Sequence, residues 1–262
     1  MRGIGSFEKA LWLISVLLEV GLTALLLYRK NYRTFPFFFA YVLTVIAQSA
    51  ILFVTYKIWG FNSQASRASH WSTQGLVLVA RALAVAEICR HALRKYRGIW
   101  ELAWRLLLAS AVLVLLYSLV AAGFEWQLLE LNADRGLELT IAVLVVVLFV
   151  FAHYYEVAME PVLRFVATGF FLYSCFSVLN DTVLERWKYA YAPLWSRMGS
   201  LAYVASLLLW NWALRERQTM ATREATLLPD GVYRTLAPEI NMRLKVLNEN
   251  LHRFWYPEGK RP

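Results

Sequence analysis

Residues 10–28 read ALWLISVLLEVGLTALLLY, nineteen positions broken by one charge, Glu19. Wound as a helix at about 1.5 Å per residue, a stretch of that length crosses about 30 Å of hydrocarbon. A soluble amphipathic helix would instead return a polar residue on nearly every turn. The same pattern recurs at Phe37–Trp59, Ser72–Leu93, Ile99–Gly123, Leu137–Tyr155, Pro161–Leu184 and Pro193–Leu214. Pro36, Pro161 and Pro193 stand at the starts, where a helix loses nothing by a missing N–H. The expectation is an all-α polytopic membrane protein: a seven-helix transmembrane bundle over residues 1–214 and a polar tail over 215–262.

Composition agrees. Of 262 residues, 59% are hydrophobic and 17% charged, against about 45–50% and about 25% in soluble domains. The net charge of +9 would suggest nucleic acid in a soluble protein. Here the cations flank apolar blocks, where they orient helices and meet lipid headgroups, so membrane lipids are the expected partner and nucleic acid is not. Cys89 and Cys175 both fall inside spans and read as small core residues. The first apolar run ends in Leu25-Leu26-Leu27-Tyr28-Arg29 with no small-x-small cleavage pattern, which makes it a retained helix and not a signal peptide.

Lys and Arg near the span ends divide evenly between the two faces, Arg29, Lys30, Arg33, Arg90, Arg94, Lys95, Arg97 and Arg164 on one side. Arg215, Arg217 and Arg223, directly after the last span, and the tight cluster Arg90–Arg97 place that side in the cytoplasm, with the N-terminus outside and the C-terminus inside. Most tryptophans, among them Trp12, Trp59, Trp71, Trp100, Trp210 and Trp212, fall near span ends, as interfacial anchors do. In the tail, Ile240, Leu244, Leu247, Leu251 and Phe254 recur at steps of four and three, an apolar stripe on a helix near 238–255. Such a short stripe is not a stable coiled coil alone. It docks on the inner leaflet, on a protein partner, on another copy or on its own bundle.

An ionisable group at mid-bilayer costs about 2.5–3.5 kcal/mol on insertion scales, so each one needs a partner or a use. Glu19, Gln48 and Arg81 fall at the centres of the first three spans. The expectation is that Glu19 and Arg81 pair, with Gln48 between them, either fixing helix packing or forming a ligand or ion site. Ser15, Glu19 and Thr23 share one helical face, as do Thr44, Gln48 and Thr55. A second cluster lies toward the inner face: Glu87 and His91, one turn apart, with His153 and Glu156 closing the fifth span. Two histidines on separate helices could ligate a b-type haem, although no spacing motif enforces it and no cofactor is expected.

Absences exclude sharper chemistry. No lysine lies within a late span to carry a retinal Schiff base, four histidines are too few for a multi-histidine di-iron site, and no Gly-rich phosphate loop occurs. No nucleophile turn supports an intramembrane serine protease, and zinc-type ligand clusters are lacking. A non-enzymatic module is therefore expected, a receptor-like sensor or a subunit of a larger membrane complex. A small transporter or channel component and a haem-binding electron-transfer subunit are the alternatives.

Two segments, Tyr32-Arg33-Thr34-Phe35-Pro36-Phe37-Phe38-Phe39-Ala40-Tyr41 and Glu87-Ile88-Cys89-Arg90 through Arg97-Gly98, carry a resemblance. Through them residues 8–215 resemble uncharacterised seven-helix membrane proteins of acidobacterial genomes. The resemblance implies a bacterial cytoplasmic (inner) membrane protein and brings no activity with it.

Overall fold

The computed structural model describes residues 6–60, 63–94, 96–122, 126–154, 159–187, 192–215, 242 and 245–255. Among these residues all regular structure is helical: α1 (Ser6–Tyr28), a 3-10 turn (Asn31–Arg33), α2 (Pro36–Trp59), α3 (Gln64–Ala92), α4 (Arg97–Ala122), α5 (Trp126–Tyr154), α6 (Pro161–Trp187) and α7 (Ala192–Arg215). A further helix covers 245–255. Among the described residues six helices, α1 through α6, are long and apolar enough to cross a membrane. The chain is a multi-pass helical membrane protein.

The helices close a ring. α1 packs on α2 and α7, α2 on α3, α3 on α5 and α6, α5 on α6, and α6 on α7; α4 stands outside, against α5. The ring encloses an apolar core whose centre is aromatic. Phe38, Tyr41, Phe170 and Trp210 are wholly buried, with ring centroids 4.8 Å apart for Phe170–Trp210 and 5.5 Å for both Phe38–Trp210 and Tyr41–Phe170. Trp210 is thus a core residue and not the interfacial anchor expected of it. Its Nε1 donates to the Val166 carbonyl at 3.1 Å, which satisfies the one polar atom of a buried indole. Trp12, Trp59 and Trp212 remain exposed, as anchors should.

The starts of α3 and α5 differ from expectation. α3 begins at Gln64 and not at Ser72, because Ser63 caps it: its side-chain oxygen accepts from the Ser66 amide at 3.1 Å. α5 begins at Trp126 and not at Leu137, so Asp134 and Glu138 lie within a helix and face α3. A hydropathy reading places both polar stretches in loops. Burial against a polar neighbour keeps them helical.

Polar contacts hold α1 to α7. Asn211 donates to the Leu18 carbonyl at 3.1 Å, and Arg29 donates to the Arg215 carbonyl at the helices' common end. At that same end the 245–255 helix lies on the start of α4. Gly98 donates its amide to the Asn248 side chain at 2.8 Å, and a Cβ at Gly98 would stand 2.6 Å from the Asn248 carbonyl oxygen. Trp255 stacks under the Arg105 guanidinium, 3.7 Å from the ring centroid. Of the expected stripe, Leu251 faces Gly98 while Leu247 and Phe254 stay exposed; Ile240 and Leu244 lie outside the described residues.

Two substitutions test this packing. A Cβ at Gly169 would meet Trp210 Nε1 at 2.2 Å, so Gly169→Ala should lower bundle stability by about 1–3 kcal/mol in reversible denaturation. Gly98→Val should release the tail helix while leaving the bundle intact, read as faster tryptic cleavage at Lys245 and Arg253 with little change in melting temperature.

Candidate functional site

The mid-bundle polar residues gather around one cavity of about 340 Å³. α1 supplies Trp12, Ser15 and Glu19, α2 supplies Tyr41, Gln48 and Ser49, and α3 supplies Gln74 and Arg81. α6 and α7 close it with Tyr173, Ser200 and Tyr203. Glu19, Gln48 and Arg81, marked by their depth alone, do line one space. They do not bond one another as expected.

Arg81 turns instead to α5, where its guanidinium forms an ion pair with Glu138. Both side chains are essentially fully buried, 3% and 0% exposed. Ser174 of α6 donates to the other Glu138 oxygen, so one carboxylate ties α3, α5 and α6 together. The guanidinium also lies 4.4 Å from the Tyr173 ring centroid and 5.7 Å from that of Tyr41, and donates to the Tyr173 hydroxyl at 3.4 Å. Cation–π contact of this kind is worth most where water is excluded. Glu138 escaped the sequence reading because it stood at the edge of a span drawn from Leu137. The spacing of Asp134 and Glu138, one turn apart, was the available signal.

Glu19 has a different partner. The Tyr203 hydroxyl donates to its Oε1 at 2.9 Å, and Oε2 is buried with no hydrogen-bond partner. The side chain is only 2% exposed. Gln48 donates to the Thr73 hydroxyl at 3.3 Å and to the Gln74 carbonyl oxygen at 3.1 Å, and Gln74 donates on to Asp134 at 3.5 Å. These bonds make a polar wall from α2 through α3 to α5. Thr23, Thr44 and Thr55 turn away from it and bond the carbonyl one turn back on their own helices.

The second cluster, expected toward the inner face, separates in the structure. Glu87 does not pair with His91 through its side chain. Its carboxylate accepts from the Phe38 amide at 2.9 Å and so caps α2, whose own N-cap residue, Phe35, makes no side-chain bond. A negative group there satisfies an orphan amide and opposes the positive end of the helix dipole. His91 bonds the Glu87 backbone carbonyl through Nδ1 at 3.0 Å and packs its ring 5.1 Å from Phe35. His153 is exposed at the end of α5, and Glu156 lies outside the described residues. Among the described residues, no group of three or more His, Cys, Asp or Glu side chains could hold a metal ion. Among the described residues the cavity therefore offers hydrogen bonds, one carboxylate and aromatic faces.

No known protein family, curated protein or solved structure matches this chain.

Removing the Ser174 hydroxyl leaves a buried carboxylate oxygen without its donor, so Ser174→Ala should cost about 1–3 kcal/mol of stability in reversible unfolding. Glu87→Ala should cost about 0.5–2 kcal/mol and raise amide exchange at the start of α2, whereas a change confined to His91 exchange would contradict the capping role.

Proposed function

We propose that this chain is a non-enzymatic membrane module, a receptor-like sensor that binds a small polar ligand in the mid-bundle cavity and serves as a subunit for a protein partner. The observation that carries this reading is Glu19: a carboxylate held in place by Tyr203 on one oxygen, with the other oxygen buried and unbonded on a cavity of about 340 Å³. An acceptor left dry at that depth costs free energy unless something fills the space beside it. That volume falls in the range of small-molecule pockets.

The cavity adjoins the aromatic core, whose Tyr41 lines it, and extends away from Phe38, Phe170 and Trp210 toward the start of α7. The helices around it run unbroken among the described residues, unlike the interrupted helices that form many transporter sites. Both features favour a dead-end pocket over a pathway. At the opposite face, the 245–255 helix is held by Gly98 but leaves Val246, Leu247 and Phe254 uncovered, which suits recruitment of a partner.

We read α7 as a seventh span, since it lies along α1 and α6 and its end is tied to that of α1 through Arg29. With the N-terminus outside, the cavity extends toward the exterior and the tail faces the cytoplasm. A bacterial inner membrane is part of the same proposal, supported by the resemblance of the Tyr32–Tyr41 and Glu87–Gly98 segments to acidobacterial seven-helix proteins.

Thermal-shift screening of small polar metabolites should find a compound that stabilises the native protein and not the cavity-filling variant Ser49→Phe. Equal stabilisation of both proteins would sink the ligand reading. In whole cells, a Ser49→Cys protein should react with a membrane-impermeant thiol reagent added outside, and labelling only after the cells are opened would reverse the orientation.

A further inference from the structure

The charges around the cavity do not cancel, and their imbalance identifies the chemical class of its ligand. Among the described residues lining it Arg81 is the one cation, and its guanidinium is committed to Glu138 on α5 and to the faces of Tyr173 and Tyr41. That pair is neutral as a unit. Behind the Gln48–Gln74 wall, Asp134 adds a further carboxylate on the same side. Arg197, on the α7 turn before Ser200, lies over the Phe7 ring 5.8 Å away and is not among the lining residues. Among the described lining residues what remains is Glu19, with one oxygen accepting from the neutral Tyr203 hydroxyl and the other buried with no hydrogen-bond partner.

We propose that the cavity takes a small organic cation, a primary ammonium group seated on Glu19 Oε2 with its apolar body between Trp12 and Tyr203. This rests on the ligand-binding reading above and specifies its chemistry. An ammonium supplies the donor that Oε2 lacks and offsets the negative charge of Glu19, to which a carboxylate-bearing ligand would add. The aromatic rings at the wall reward a cation as well: Arg81 already uses two tyrosine faces, and Tyr203 and Trp12 also line the cavity. Gln48, Ser15, Ser49 and Ser200 add polar groups to the same wall. The cavity's volume limits the ligand to a compact molecule.

The test uses the full chain in lipid nanodiscs and three probes of matched size: phenethylamine, phenethyl alcohol and phenylacetate. Binding is followed by calorimetry and by tryptophan fluorescence, since Trp12 lines the site. Phenethylamine should bind more tightly than the alcohol by about tenfold or more, with phenylacetate weakest. Glu19→Gln, which keeps the shape and removes the charge, should abolish that preference while leaving alcohol binding in place. The ranking on the native protein requires no variant to fold. Equal binding of amine and alcohol, or preference for phenylacetate, with all binding lost in Ser49→Phe, overturns the cation assignment and leaves the ligand reading standing. Binding of no probe, or binding indifferent to Ser49→Phe, overturns both.

Discussion

The arrangement of this bundle depends on the ion pair between Arg81 and Glu138. A lone guanidinium in the middle of a bilayer is expensive, and so is a lone carboxylate, yet paired they become a joint that only one helix arrangement satisfies. The pair sets α3 against α5, and the Ser174 hydroxyl extends the joint to α6. α4 packs mainly on α5 and touches α3 only slightly, outside the ring, where its leucines and valines are exposed. Pairs of this kind often add less to stability than an apolar replacement would, and their value lies in specifying which helices meet.

That joint has a second consequence. Because Arg81 is drawn toward α5, Glu19 on α1 is left without a counter-charge and turns to the neutral Tyr203 hydroxyl. The space between the two becomes a cavity rather than a salt bridge. Had Glu19 and Arg81 met, the same residues would have closed the bundle centre. The site thus follows from a choice of partner and not from any catalytic constellation.

Much of the fold was legible from hydropathy, since an uninterrupted apolar run has few alternatives in a membrane. α2 and α6 begin within a residue of where the prolines place them, at Pro36 and Pro161. The starts of α3 and α5 were not legible, because there the helices are polar and are held by a cap at Ser63 and by burial of Asp134 and Glu138 against α3. Glu19, Gln48 and Arg81, grouped by depth along a span, line one cavity. Depth could not assign their partners, because it fixes one coordinate and the choice between α1 and α5 depends on the angular position of each helix in the ring. Trp210 shows the same limit: its place near a span end suggests the interface, and only the ring's closure puts it in the core.

The claim that Arg81 belongs to Glu138 and leaves Glu19 free is tested most directly by paired double-mutant cycles in reversible unfolding. The account predicts a coupling between Arg81→Met and Glu138→Leu of about 1–3 kcal/mol, the double variant being more stable than the sum of the single losses allows. It predicts near additivity, within about 0.5 kcal/mol, for Arg81→Met with Glu19→Leu. A large coupling to Glu19 and none to Glu138 would contradict it, and would turn the cavity back into a closed ion pair.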